Sequence, residues 1–341
     1  MTAAANARDK ARLQVREGNY VAPTRQTLET FAGEWLESRT PKLKPSTLSS
    51  YADLLRDHVN PRIGNVPLQK ITAAHLDALY AELLTKGRRD GTGGLSPRTV
   101  RYVHTVIRAA LQTAFRWGRI THNPADRSDP PESVRTEARH WTTDNLRRFL
   151  AHVEGDRLAP LYHLAAMTGL RRGEVLGLRW SDLDLEAQTL KVNQSLVVVD
   201  GHSMFTTPKT DAGRRTVSLD PRTVAVLRAH RKAQMAERLA AGPAWADSGL
   251  VFTREDGRPL APDWVYKRFV ALVLAAGVPL ISFHGLRHSH ATALLGAGVD
   301  LKLTSARLGH SSVRITADTY QHVEQAMDQL AATQAAALIY G

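Results

Sequence analysis

The sequence predicts a mostly α-helical protein with a small antiparallel β-sheet in its second half. Three observations carry that prediction. Residues 27–130 place apolar side chains at helical spacings between cap residues. Short β-rich runs are confined to residues 189–219, with turn signals between them. Helical spacing then resumes at Pro221. A length of 341 residues suits two domains.

In the first half, Thr27–Ser38 (TLETFAGEWLES) is one amphipathic segment. Pro45-Ser46 opens a second, which runs to about Val59 with Leu48, Tyr51, Leu55 and Val59 on one side. Ala73–Thr85 is a third. The Gly-rich stretch Asp90–Gly94 is a loop. Ser96 then serves as N-cap and Pro97 starts a fourth helix. Val100, Val103, Ile107, Leu111 and Ala114 recur at spacings of three and four and give it a core face. A small four-helix unit fits these segments. Asn123-Pro124 ends it, and the stretch from Ala125 to about Glu137, with Pro130-Pro131 and many charges, reads as a linker.

The second unit starts near Trp141, with Thr143 expected to cap a helix from Asp144 to about Val153. A helix over Leu161–Met167 leads into Thr168-Gly169. Thr189–Val192, Leu196–Val199, Phe205–Thr207 and Thr216–Leu219 read as strands of one small antiparallel sheet. Asp200-Gly201 and Asp211-Ala212-Gly213 supply turns. Helices follow at Pro221–Leu239, Pro262–Ala275, Arg287–Gly296, Leu303–Leu308 and Val313–Tyr320, then an Ala-rich helical tail over Glu324–Ile339.

Composition narrows the function classes. Hydrophobic residues make up 43%, enough for real cores, so wholesale disorder is ruled out. With zero Cys there is no disulfide framework, thiolate nucleophile or Cys-based zinc site, and a reducing, intracellular setting is the expectation. No run of 18 apolar residues occurs, so no membrane span is expected. The polar N-terminus does not read as a secretory signal. Against 33 Asp and Glu stand 45 Lys and Arg, a net charge of +12 and a pI near 10.1. Such a balance points to a polyanion, nucleic acid first.

The charge is uneven. Residues 1–140 hold 22 basic and 14 acidic residues, against 23 and 19 in the remainder. Between Lys86 and Arg119 there are eight basic residues and one acid, Asp90. Arg101, Thr105, Arg108, Gln112 and Arg116 also form a stripe on the Ser96 helix, apart from its core face. The candidate DNA contacts are Lys86, Arg88, Arg89, Arg98, Arg101, Arg108 and Arg116. An ordinary solvated helix face is the alternative.

Three separated clusters carry chemistry. The first is Thr168-Gly169-Leu170-Arg171-Arg172-Gly173-Glu174. The second is Thr207-Pro208-Lys209-Thr210 at the sheet turn. The third runs from His284-Gly285-Leu286-Arg287 through Leu308-Gly309-His310 to Tyr320. Singly, each has a structural explanation: a surface ion pair, a solvated lysine, a buried histidine, a rim aromatic. Together they form a phosphoryl-transfer set. Two guanidiniums can bracket phosphate oxygens. Histidines exchange protons near neutral pH, a lysine can protonate a leaving alkoxide, and a tyrosine can attack phosphorus.

T-G-L-R-x-x-E, then P-K-T, then H-x-L-R-H-x-H-A-T, L-G-H and a Tyr ten residues on in T-x-x-T-Y-x-H resembles the tyrosine recombinase (phage integrase) family. The resemblance covers residues 140–325 with every signature position filled, and the helical unit before it resembles the family's core-binding domain. It implies an all-helical SAM-like core-binding domain and a mixed α/β catalytic domain. The expected organisation is a 1–24 segment, a 25–128 core-binding domain, a 129–140 linker, a 141–325 catalytic domain and a 326–341 tail that docks in trans. By the same resemblance Arg171 and Arg287 bind the scissile phosphate. Lys209 is the general acid, His284 assists proton transfer with Tyr320, His310 bonds the phosphate, Glu174 orients this shell, and Tyr320 becomes a 3′-phosphotyrosine. The expected partners are double-stranded DNA attachment sites, a second pair of protomers in a tetrameric synapse, and accessory DNA-bending proteins, at the bacterial nucleoid. No cofactor or metal is expected.

His284 and His288, four apart with His290 nearby, have a zinc-like spacing, but no H-E-x-x-H and no adjacent acid accompany them. Tyr266 and Tyr340 lack the L-G-H spacing that favours Tyr320. His288 and His290 read as packing residues that support the site from behind, Trp141 and Trp180 as structural, and Arg172 and Arg179 as surface or DNA-backbone residues. The 1–24 segment is shorter than the arm-binding domain with which many phage integrases begin, and Asp9–Tyr20 resembles the last helix of one. A type IB topoisomerase-like relaxing enzyme shares the chemistry, and a non-catalytic DNA-binding relative is a further alternative.

Overall fold

The structure is a computed structural model that describes residues 20–133, 139–207, 213–310, 312–314, 316–317, 332–333 and 336–340. The chain divides into two compact units, 1–135 and 136–341. Among the described residues, no helix is long and apolar enough to cross a membrane.

The first unit is helical: α1 (Leu28–Arg39), α2 (Pro45–Leu54), α3 (Asn60–Ile63), α4 (Ala73–Lys86) and α5 (Pro97–Arg116). Each start has a local cause. The Thr27 hydroxyl accepts from the Thr30 amide, and the Ser96 hydroxyl accepts from the Thr99 amide with Pro97 in the first turn. The segment expected to run from Pro45 to Val59 is one continuous rod whose last turn, Leu55–Val59, is π-helical. Pro61 follows, and it has no amide to offer the preceding turn. On α5, Val100, Val103, Ile107, Leu111 and Ala114 are all buried, as their spacing predicts. They pack with Phe31, Trp35, Leu79, Tyr80 and others in one core.

In the second unit, α6 (Thr143–His152), α7 (Ala159–Thr168) and α8 (Arg172–Leu176) come first. The cap of α6 is Thr142, whose hydroxyl accepts from the Asn145 amide, and not Thr143. Of two consecutive threonines, the one in extended conformation caps. The strands β1 (Leu183–Asp184), β2 (Thr189–Val192), β3 (Ser195–Val199), β4 (His202–Thr206) and β5 (Arg215–Ser218) form two small antiparallel sheets where one was expected. Strands β1, β2 and β5 make one, and β3 and β4 the other. The break lies at Asn193-Gln194. Their side-chain amides donate to Asp182 Oδ1 (2.8 Å) and the Gly177 carbonyl (2.8 Å), which pulls the chain off the first sheet. Asp200-Gly201 closes the β3–β4 hairpin with positive φ at both residues, the two-residue turn that matches strand twist.

Helices α9 (Pro221–Ala241), α10 (Pro262–Ala275), α11 (Phe283–Gly296) and α12 (Leu301–Leu308) follow. Helix α11 starts four residues before the expected Arg287. The Ser282 hydroxyl caps it by accepting from the Gly285 amide, and a glycine in the first turn hid that start. Trp141, Phe149, Tyr162, Phe269 and Phe283 pack in tilted and edge-to-face pairs at 4.9–6.5 Å and tie α6, α7, α10 and α11 together. The Trp141 indole donates to the Pro279 carbonyl at 2.7 Å. Lys209, Tyr320, the Asp211–Gly213 turn up to residue 212, helix Asp9–Tyr20 up to residue 19, half of the helix expected at Val313–Tyr320 and most of the tail lie outside the described residues.

Candidate active site

The site forms where α7 ends, α8 begins, β5 starts and α11 and α12 meet. Helix α7 stops at Gly169, the left-handed cap, with φ of +64°. A side chain there would also collide: an added Cβ would lie 2.6 Å from Leu308 Cδ2 and 2.9 Å from His290 Cδ2. The turn after it delivers Arg171 as the residue preceding α8. Arg171 and Glu174 therefore face each other across one helical turn. Arg171 Nη1 donates to Glu174 Oε1 at 2.7 Å, and the Arg171 amide donates to Oε2 at 3.0 Å.

Glu174 is 5% exposed and receives a second arginine. Arg215 Nη2 donates to Oε2 at 3.0 Å and Nη1 reaches Oε1 at 3.4 Å. Burial pushes the Glu174 carboxyl up, but the Arg215 charge and hydrogen bond, with the Arg171 amide and charge, hold it below the usual carboxylate range. Arg171 Nη2 also donates to the Gly309 carbonyl at 3.0 Å. Arg215 Nε donates to the Arg307 carbonyl at 2.7 Å. Both ends of the C-terminal turn of α12 are thus gripped, and His310 follows directly.

Arg287 is 2% exposed, and its Nη1 donates to the Gly169 carbonyl at 2.8 Å. The Arg171 side chain, by contrast, is 40% exposed. His284 and His288 pack edge to face at 4.9 Å. His310 Nδ1 pairs with the buried Thr316 hydroxyl at 2.7 Å. Beneath them Arg307 donates to His290 Nε2 (3.2 Å) and to the carbonyls of Met167 (3.2 Å) and Ser218 (3.1 Å).

These histidines are neutral at pH 7. Burial lowers His284, and the Arg287 and Arg171 charges add to the effect. His310 is pushed down to about 3 by burial, then by Arg287 and Arg171. His288 falls to about 4, through burial and then His284 and Arg287. His290 falls to about 3, through burial and then Arg307. Two cavities of about 610 Å³ lie elsewhere, around Trp180, Arg231 and Met235 and around Arg157, Trp264 and Arg268. Neither is lined by a residue of this cluster.

Of the residues singled out from sequence, Arg171, Glu174, His284, Arg287 and His310 come together. Lys209 and Tyr320 lie outside the described residues. Arg215, Arg307 and Thr316 were missed. For Arg215 a signal existed: strand alternation puts it on the face of buried Val217. The Arg179 side chain is 39% exposed and clasps Asp182 with two bonds of 2.9 and 3.0 Å. Arg172 donates to the Pro262 carbonyl. In the first unit, Lys86, Arg88, Arg89, Arg98, Arg101, Arg108 and Arg116 are all exposed. Arg88 pairs with Asp90, Arg89 with Asp57 and Arg108 with Asp126.

Comparison with known proteins places this arrangement. The phage integrase family matches residues 139–327, and the phage integrase N-terminal SAM-like domain matches residues 27–84. A tyrosine recombinase XerC-like protein of Caldanaerobacter subterraneus is 30% identical over 91% of this chain and 82% of its own. The ICEBs1 integrase of Bacillus subtilis is 27% identical over 82% of this chain and 74% of its own. Among solved structures, the Tn1549 transposon integrase in complex with transposon right end DNA superposes with a TM-score of 0.73 at 21% identity, covering 89% of this chain and 99% of that one. A lambda integrase dimer bound to a COC′ core site gives 0.65 at 17% identity, over 91% and 79%. This chain belongs to the phage integrase family of tyrosine recombinases, a class of DNA strand-transferring enzymes.

Proposed function

We propose that this protein is a site-specific recombinase that cuts and rejoins DNA through a 3′-phosphotyrosine, integrating or excising a mobile element. The observation that carries the reading is the convergence of Arg171, Arg287, Glu174, His284 and His310, brought together from three separated segments. The DNA-bound state of the Tn1549 and lambda integrases supports a duplex as partner.

In this reading Arg171 and Arg287 bracket the non-bridging oxygens of the scissile phosphate. Tyr320 Oη attacks phosphorus, the bond from phosphorus to the 5′ oxygen breaks, and Lys209 protonates the departing oxygen. Free tyrosine titrates near ~10, so about one in a thousand is ionised at pH 7. A neutral His284 is able to take the phenol proton, and the guanidinium charges favour the phenolate. His310 must present a donor to phosphate. A Thr316 hydroxyl that donates to Nδ1 selects the tautomer with the proton on Nε2. Attack of a new 5′-hydroxyl on the phosphotyrosine reverses the step, with no net loss of phosphodiester bonds.

Residues 25–128 are assigned to gripping DNA with the exposed arginines of α5, and residues 141–325 to the chemistry. A tetrameric synapse at attachment sites, with accessory DNA-bending proteins, completes the reading. Leu338, Ile339 and Tyr340 are 88%, 72% and 88% exposed, which suits a tail that docks on a neighbouring protomer. Unchanged synapse assembly after deletion of residues 326–341 would refute that docking.

The test is a nicked duplex carrying the element's own end sequence. A covalent protein–DNA adduct that disappears in Tyr320→Phe supports the reading, and no adduct with the unaltered protein refutes it. Joining of two sites, and not relaxation of supercoils alone, separates a recombinase from a type IB topoisomerase.

A further inference from the structure

We infer that Arg215 is a positioning residue for strand cleavage, closing a ring of charge that sets Arg171 and His310 in register. The inference rests on the recombinase reading above. The ring has four links. Arg215 holds Glu174, Glu174 holds Arg171, Arg171 holds the Gly309 carbonyl, and Arg215 returns to the Arg307 carbonyl two residues earlier. The peptide segment between those carbonyls is the end of α12, which leads into His310.

Three features show that this is more than a stabilising ion pair. The Arg215 side chain is 7% exposed and Glu174 is 5% exposed, so water does not compete for either partner. Arg215 uses Nε, Nη1 and Nη2 in different directions: toward the Arg307 carbonyl, the Gly213 carbonyl with Glu174, and Glu174 again. A lysine has one charged nitrogen and cannot span those partners at once. Finally, the partners are the parts of the site that must agree. Arg171 touches phosphate in the proposed reaction, and His310 does the same from α12. One residue on β5 fixes both, from a side chain that is only 7% exposed.

The same geometry explains why Glu174 carries two arginines. With Arg171 alone, the carboxylate could follow that side chain as it rotates. A second guanidinium pinned to a backbone carbonyl makes the carboxylate a fixed anchor. Arg171 then keeps its orientation although its side chain is 40% exposed. A misplacement of about 1 Å at a reacting centre costs on the order of 100-fold in rate.

The experiment uses the full chain and the nicked end-sequence duplex. Arg215→Lys, Glu174→Gln and the double variant are each measured for duplex affinity and for single-turnover adduct formation at saturating DNA. The expected result for Arg215→Lys is duplex affinity within about twofold of the unaltered protein and adduct formation slowed by about 100-fold. The double variant is expected to be no slower than the worse single variant, because both changes open one ring. Circular dichroism at the assay temperature keeps unfolded protein out of the comparison. Should Arg215→Lys fold poorly, Arg215→Gln carries the same test, with the same split between affinity and rate. The inference is overturned if Arg215→Lys cleaves at the original rate, if affinity falls in step with rate, or if the two single effects multiply in the double variant. If the unaltered protein forms no adduct, the recombinase reading fails instead.

Discussion

Replacing Gly169 with alanine tests whether the end of α7 is held open for the site. Two costs can be worked from the structure. Gly169 has φ of +64°, where an L side chain costs about 1–2 kcal/mol. The new Cβ would also lie 2.6 Å from Leu308 Cδ2 and 2.9 Å from His290 Cδ2 in a buried region, an overpacking cost of about 1–3 kcal/mol. The sum is about 2–5 kcal/mol. At about 2–4 °C per kcal/mol for a unit of this size, the melting transition of the second unit should fall by about 4–20 °C. Gly298 provides the control. It has φ of +77° and open space where a Cβ would stand, so Gly298→Ala carries only the backbone cost. Scanning calorimetry of both full-length variants separates the two contributions. Chemistry should suffer as well, since the Gly169 carbonyl accepts from Arg287 and Leu308 lies two residues before His310. Equal melting shifts for Gly169→Ala and Gly298→Ala would refute the close-packing argument.

Three further outcomes are expected. His290 is buried neutral with its pKa lowered to about 3 against about 6.5 when unfolded, so stability is full above pH 6.5 and falls as pH drops toward 3. At pH 5 the loss from this residue is about 2 kcal/mol, seen as a urea midpoint that drops less between pH 7 and 5 in His290→Gln. Thr316→Val keeps the shape of a buried residue but removes the hydroxyl paired with His310 Nδ1, so adduct formation should slow by about tenfold with duplex affinity unchanged in filter binding. Arg101→Ala and Arg108→Ala should each weaken binding to specific and unrelated duplexes alike, as phosphate contacts do, and a loss confined to one sequence in gel-shift competition would contradict their assignment.

Much of the fold was legible because its signals are local. The Ser96-Pro97 start and the spacing of Val100, Val103, Ile107, Leu111 and Ala114 need only a few neighbouring residues, and each behaves as expected. The one sheet that became two failed for a non-local reason. The turn at Asn193-Gln194 is made by side chains bonded to Asp182 and Gly177, partners that no strand pattern reveals. In the same way the sequence picks out Arg171, Glu174, His284, Arg287 and His310 through motif spacing. Arg215 and Arg307 act through backbone carbonyls of distant segments. Carbonyl acceptors exist at every residue, so no residue type marks them. Neutral histidines are another product of burial that residue identity alone does not give.

The burial of Arg287 has a consequence for ionic strength. Its guanidinium was stripped of water when the chain folded, so mobile ions have little access to it. The first-unit arginines assigned to the duplex in the proposed reading differ: Arg88, Arg89 and Arg108 have side chains 55–75% exposed, and salt at ~0.1 M screens such charges beyond about 10 Å. Electrolyte therefore divides the reaction in two. Raising it should release protein from DNA while leaving the speed of cutting within each surviving complex nearly untouched. In the proposed reading, a protein built this way can be made to let go of DNA without losing its capacity to act on the duplex it still holds.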